Sequence, residues 1–176
     1  RLELCCFDLM HEQSSHEVVN DLCKRRISIT HLVNNARCSS FLSLEANGRV
    51  LRSNFQNELT LDVVVPYELS IEFANSPSSD LRSIVNIGSQ YGVVAPNLSL
   101  YDNPALQSPL HYGVAKAALA HLTKELAVRL AQRGVRVNCL AYGGIEGRVD
   151  QQFTKRYSRL CPSSRMLRED ELADPV

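Results

Sequence analysis

Short apolar runs that end in small or polar residues alternate with helical stripes along this chain, and no hairpin signal separates them. LELCCFDL (2–9) is an apolar run ending at Asp8 and reads as a buried strand. EQSSHEVVNDLCKRR (12–26) places Val18, Val19, Leu22 and Cys23 on one face, with Ser14 or Ser15 as cap and basic residues in the last turn, which predicts a helix. ISITHLVNNA (27–36) reads as a second strand running into a polar turn, and 38–50 as a loop closed by Asn47-Gly48. Residues 51–75 carry the β-branched run VVV, yet Leu59, Val63, Tyr67 and Ile71 keep a four-residue spacing. That predicts a helix, strained locally by Pro66. RSIVNIGS (82–89) is a third strand, followed by a long loop punctuated by Pro96, Pro104 and Pro109. A helix then runs from about Pro109 to Arg133 on Val114, Ala118, Leu122, Leu126 and Leu130, with Gly134 as its left-handed terminator. VRVNCLA (135–141) is a fourth strand, and the polar, basic tail carries a short helix near RMLREDELA.

The order β-α-β-α-β-α-β predicts an α/β protein, a parallel sheet covered by helices on both faces. In such sheets ligands bind beyond the carboxyl ends of the strands. Those ends are Asp8, Asn34-Asn35-Ala36, Gly88-Ser89 and Tyr142-Gly143-Gly144.

The 176 residues, 44% hydrophobic and 22% charged, suit one globular domain over 1–176. With 19 basic and 19 acidic residues the formal net charge is zero, which argues against nucleic acid or an anionic membrane as partner. Apolar runs such as LDVVVPY are too short to span a bilayer. The six cysteines form no Cys-x-x-Cys pair and the histidines no His-Glu-x-x-His, so no metal site is expected. Cysteines within apolar segments point to a reducing, cytoplasmic compartment.

Within the last long helix, Tyr112 and Lys116 lie one turn apart on one face. A surface pair is the commoner meaning of an isolated Tyr-x-x-x-Lys. Ser89 alone reads as a turn serine, Asn34 as a strand-end residue and Asp8 as a cap for the next helix.

Taken together and in order, these segments resemble the short-chain dehydrogenase/reductase family. Asp8 follows a strand as the family's adenine-contacting Asp does. LVNNA (32–36) resembles the Asn-Asn-Ala-Gly turn, and IVNIGSQYG (84–92) the strand that delivers the catalytic serine. YGVAK (112–116) resembles the Tyr-x-x-x-Lys pair, and VRVNCLAYGGI (135–145) the segment closing over the nicotinamide. The tail PSSRMLREDELADPV is similar to the family's stretch before its last strand. The resemblance implies a Rossmann-like doubly wound sheet and an NAD- or NADP-dependent oxidoreductase. Ser89, Tyr112, Lys116 and Asp62 are its implied catalytic residues. Asp8, Leu9, Asn34, Ala36, Tyr112, Lys116, Gly143 and Ile145 are its implied cofactor contacts. Asp62 falls at the family's Asn when PY (66–67) is aligned with the family's Pro-Phe, and Asn57 and Asn54 are alternatives if the register slips. The family commonly builds its subunit interface from the helices at 51–75 and 111–133, which implies a homo-oligomer. The insert YGVVAPNLSLYDNPALQSPLHY resembles the branch associated with bacterial flagellin-glycan and surface-polysaccharide biosynthesis, which implies a sugar or sugar-derived substrate.

Arg37 stands where the family has glycine, Tyr142 where it has proline, and Gly147 where it has threonine. The eight glycines contain no Gly-x-x-x-Gly-x-Gly turn. The chain is therefore expected to be truncated at both ends, beginning at the family's third strand and stopping before its last, and to bind dinucleotide poorly. Two other readings stay open: a non-catalytic remnant that keeps the oligomerisation surface, and a nucleotide-sugar epimerase or dehydratase. The Arg-Val-Asn segment and the short tail argue against the epimerase or dehydratase.

Overall fold

The computed structural model describes residues 2–176. Among these, three strands, β1 (His31–Asn34), β2 (Ser83–Ile87) and β3 (Arg136–Leu140), form one parallel sheet in the order β1-β2-β3. The register pairs Leu32 with Ile84 and Ile84 with Val137, a row that points into the core. Onto that row pack α1 (Ser14–Lys24), α3 (Val65–Asn75) and α5 (Leu110–Leu130), through Val19, Leu69, Phe73, Leu126 and Leu130. Alternate residues face the other way, and there Val33 is 43% exposed. Among the described residues, the covering is therefore fuller on one face of the sheet than on the other.

Residues 2–7 form no strand, in contrast to the expectation for 2–9. A strand exists only through its ladder, and the register of this sheet runs from β1 to β3 without that segment. Leu2 and Leu4 are exposed, while Leu9 packs against the core. Neither serine caps α1. Gln13 precedes it without a side-chain cap, and the buried Ser14 hydroxyl donates to the Asp8 carbonyl.

The 51–75 expectation holds as one long helical segment in three parts. α2 (Arg52–Leu59) passes through a widened turn, Thr60–Val64, into α3. At the end of that turn the Val65 amide reaches five residues back, to the Thr60 carbonyl. Pro66 has no N–H and its ring collides with the carbonyl four residues earlier, so a local widening absorbs the strain. The loop after β2 holds three short helical turns, Gln90–Gly92, Leu98–Leu100 and α4 (Pro104–Gln107). α5 ends as expected, at Gly134 with φ +73°. A further helix, α6 (Gln151–Leu160), was not anticipated. Asp150 caps it by accepting the Phe153 amide at 2.8 Å, and the tail helix shrinks to one turn, Glu169–Glu171.

Candidate active site

Two cavities open at the carboxyl ends of the strands. The larger, about 720 Å³, is lined by Ala36 after β1, Gly88 and Ser89 after β2, and Tyr142, Gly143 and Ile145 after β3. Tyr112 and Lys116 of α5 also line it. The second, about 540 Å³, lies beside it under the 90–109 loop and α6, with Gln90, Tyr91, Tyr101 and Tyr157 in its wall. Ser89, Tyr112, Arg37, Gly143, Ile145 and Arg148 line both. Ser89 and Tyr112 thus stand where the cavities meet.

Backbone contact brings these two elements together. A short turn, Gln90–Gly92, follows β2 and lies against α5. A Cβ on Gly92 would come within 2.7 Å of the Lys116 carbonyl, and one on Gly113 within 3.2 Å of the Tyr91 carbonyl. The missing side chains let turn and helix touch, which sets Ser89 near the first turns of α5. The Ser89 hydroxyl oxygen accepts the Tyr91 amide at 3.2 Å, leaving its own proton free to be donated.

Lys116 is buried. Its ammonium donates to Asp62 Oδ1 at 3.1 Å and to the Ile87 carbonyl at 2.9 Å. The nitrogen lies 5.8 Å from the centre of the Tyr112 ring, and the Arg37 guanidinium carbon 5.5 Å from it. An ammonium has three protons, so one remains beyond these two bonds. Burial pushes the Asp62 carboxyl above the usual range, against the pull of Lys116. Of the three candidates at this position, Asp62 is the one that meets Lys116, while Asn54 donates to the Ser43 carbonyl at 2.9 Å.

Other expected residues fall elsewhere. Asp8 lines neither large cavity; its carboxylate accepts the Met10 amide at 3.0 Å in a tight turn before α1. Leu9 and Asn34 border a small cavity of about 80 Å³ beneath the larger one. Asn34 is buried, and its Nδ2 donates to Asn86 Oδ1 at 2.7 Å; the next residue, Asn35, lines the large cavity. The second cavity's wall was largely missed by sequence reasoning. Phe153 and Tyr157, four apart after the capping Asp150, were the available signal for α6.

A parallel sheet whose strand ends open onto a cleft, with a buried lysine one turn from a tyrosine on the adjoining helix, defines an α/β protein of the dinucleotide-binding type. The family model for short chain dehydrogenase matches residues 1–158, and the chain belongs to that family. It is 39% identical over 90 residues to post-translational flagellin modification protein A of Campylobacter coli, covering 51% of this chain and 35% of that protein. It is 26% identical over 176 residues to the 3-oxoacyl-[acyl-carrier-protein] reductase FabG of Buchnera aphidicola, covering 96% of this chain and 66% of that one. A short chain dehydrogenase from Leptospira borgpetersenii, solved with bound NAD+, superposes with a TM-score of 0.79 at 25% identity, over 96% of this chain and 64% of the other. The chain thus spans from about a third to two thirds of the length of these relatives.

Proposed function

We propose that this chain carries the reaction centre of an NAD- or NADP-dependent oxidoreductase that interconverts a hydroxyl and a carbonyl, with Tyr112 as general acid–base. The observation that carries the reading is the position of Tyr112 and Ser89 in the walls of both cavities, one suited to a nicotinamide and the other to a substrate. The larger cavity suits the nicotinamide half of a dinucleotide. Its walls are strand ends rich in small residues, and its volume of about 720 Å³ admits that half. When bound, the nicotinamide exchanges a hydride with the substrate carbon.

The chain's own residues handle the proton. Tyr112 gives it to the substrate oxygen in reduction and takes it back in oxidation. The free proton of Ser89 meets the same oxygen as charge develops there, a contribution of roughly 2.7–4 kcal/mol by comparison with one oxyanion donor. The Lys116 ammonium lies 5.8 Å from the centre of the Tyr112 ring, and its third proton is available to a ribose hydroxyl. Ala36, Gly143 and Ile145 bound the cofactor cavity, while Leu9 and Asn34 support its floor. For Asp8, Oδ1 accepts the Met10 amide, and the carboxylate keeps further acceptor capacity for adenine.

Beside an apolar lining that includes Leu100, Phe153 and Met166, the second cavity presents Gln90, Tyr91, Tyr101 and Tyr157, polar groups that a substrate's hydroxyls can meet. With the likeness to the Campylobacter coli protein, this supports a sugar-derived substrate in surface-glycan synthesis. Among the described residues no helix is long and apolar enough to cross a membrane, and a cytoplasmic site of action is proposed from the cysteine pattern. Exposed Val64 and Tyr67, at the end of the widened turn and the start of α3, and Val114 and Val128 on α5, support association with a second copy through these helices.

In the cofactor-loaded enzyme, Tyr112→Phe should abolish turnover while leaving cofactor binding near normal, since only the proton donor is removed. Lys116→Ala should weaken both. Near-normal turnover in the Phe variant would overturn the assignment.

A further inference from the structure

Two carboxyl groups, not one, lie buried beside Lys116. Glu58, near the end of α2, and Asp62, in the widened turn, are four residues apart, and they are 2% and 4% exposed. Asp62 gives one oxygen to Lys116, but its Oδ2 has no partner, and neither has Glu58 Oε1. A third unpartnered atom belongs to the same interface. His111 of α5 is fully buried, and its ring lies 5.9 Å from Phe55, one turn before Glu58. Its Nε2 meets the Phe41 carbonyl at 2.7 Å, which places the ring proton there and leaves Nδ1 an acceptor without a donor. The seam between α2 and α5 therefore holds one ammonium, two carboxyls and an imidazole.

Burial favours the protonated form of the second acid, against the opposing charges of Lys116 and Arg37. A protonated carboxyl brings one O–H donor into a seam whose Asp62 Oδ2 and His111 Nδ1 are both open acceptors.

We propose that Glu58 is a positioning residue for Lys116: in its protonated form it supplies the missing donor and keeps Asp62 Oδ1 against the ammonium. Its consequence for turnover rests on the reading of Tyr112 and Lys116 given above. Burial pushes the Glu58 carboxyl up to about 7; the charge of Asp62 adds to this, and Lys116 and Arg37 oppose it. Cys38, before the Ser39–Leu42 turn, feels the Glu58 charge as well. Above that pH Glu58 loses its donor, and two carboxylates then face the one Lys116 ammonium.

The test is a carbon-13 NMR titration of the glutamate carboxyls in the 176-residue chain, followed together with the Lys116 ammonium resonance. One glutamate should titrate with a midpoint near 7. It should be missing in Glu58→Gln and fall to lower pH in Asp62→Asn, and the Lys116 signal should track the same midpoint in the wild type only. In the loaded enzyme, kcat/KM should show a step with that midpoint in the wild type and lose it in Glu58→Gln. Titration of every glutamate in the ordinary carboxylate range, or a Lys116 signal indifferent to Glu58, overturns the proposal. Absence of turnover in the loaded enzyme would instead count against the proposed function, with the NMR titration still deciding the role of Glu58.

Discussion

A Cβ at position 92 would sit 2.7 Å from both the carbonyl carbon and oxygen of Lys116, so one methyl group is enough to part the serine turn from α5. Gly92→Ala should destabilise the fold by about 1–3 kcal/mol, as overpacking against a backbone does. Urea denaturation should show this as a lower midpoint, and an unchanged midpoint would mean that the turn shifts freely. Glu58 makes a second residue-scale prediction, with its sign fixed by the direction of the shift. Its carboxyl keeps the proton up to about 7 in the folded chain against a usual 4.5, so the folded state binds more protons between those values. Its contribution to stability is full below 4.5 and is lost as pH rises through about 7, a fall of roughly 3 kcal/mol at most. Glu58→Gln should match the wild type in thermal melts at pH about 4.5 and exceed it above pH about 7. A variant equally weakened at both would show that Glu58 does not titrate there. Sequence motifs pointed to Ser89, Tyr112 and Lys116, which line the larger cavity, because spacing on a helix or at a strand end sets which way a side chain faces. They did not find Glu58, whose burial depends on a partner helix some fifty residues away. Nor did they separate Asn34 from Asn35, since one residue of strand register exchanges the faces.

Elements were legible where their pattern is internal and less so where a neighbour decides. The stripe of α5 and its glycine stop could be read directly, and so could β2 and β3. The segment at 2–9 has the composition of a strand but no ladder, and composition cannot show whether a partner is present. The widened turn at Thr60–Val64 was visible only as a misplaced proline, yet it carries Asp62 to Lys116. A buried side-chain ladder ties three elements below the site. Asn34 of β1 donates to Asn86 of β2 at 2.7 Å, Asn86 to Thr123 of α5 at 2.9 Å, and Thr123 to the Leu119 carbonyl at 2.8 Å. Asn86→Leu strands the buried Asn34 donor and should cost about 1–3 kcal/mol. Adding Asn34→Leu should cost less than it does alone, because the stranded donor is then gone. Strict additivity in a double-mutant cycle would show that the ladder is not a connected unit.

At the scale of the whole chain, the cleft meets the nicotinamide side of a dinucleotide more completely than its phosphates. Anionic phosphates are held most effectively by backbone N–H groups at the start of a helix. The eight glycines of these 176 residues include no Gly-x-x-x-Gly-x-Gly turn to form one, and the helix that borders the cleft, α5, begins with Pro109 and Leu110. The basic groups at the mouth, Arg37 and Arg148, are exposed side chains that share it with Glu169, whose negative charge opposes a pyrophosphate. The remaining contacts are single hydrogen bonds worth about 0.5–1.5 kcal/mol each. The 176-residue chain alone should therefore bind NADH and NADPH weakly, with a dissociation constant well above the micromolar range. The outer edge of β1 adds a second property, since among the described residues no strand pairs with it beside the exposed Val33. The chain alone should accordingly associate with itself as its concentration rises. Calorimetric titration with each nucleotide, at a concentration where sedimentation shows a monomer, tests both. Micromolar binding by that monomer would mean that the arginine pair, or another segment of the cleft, builds the phosphate site the sequence does not show.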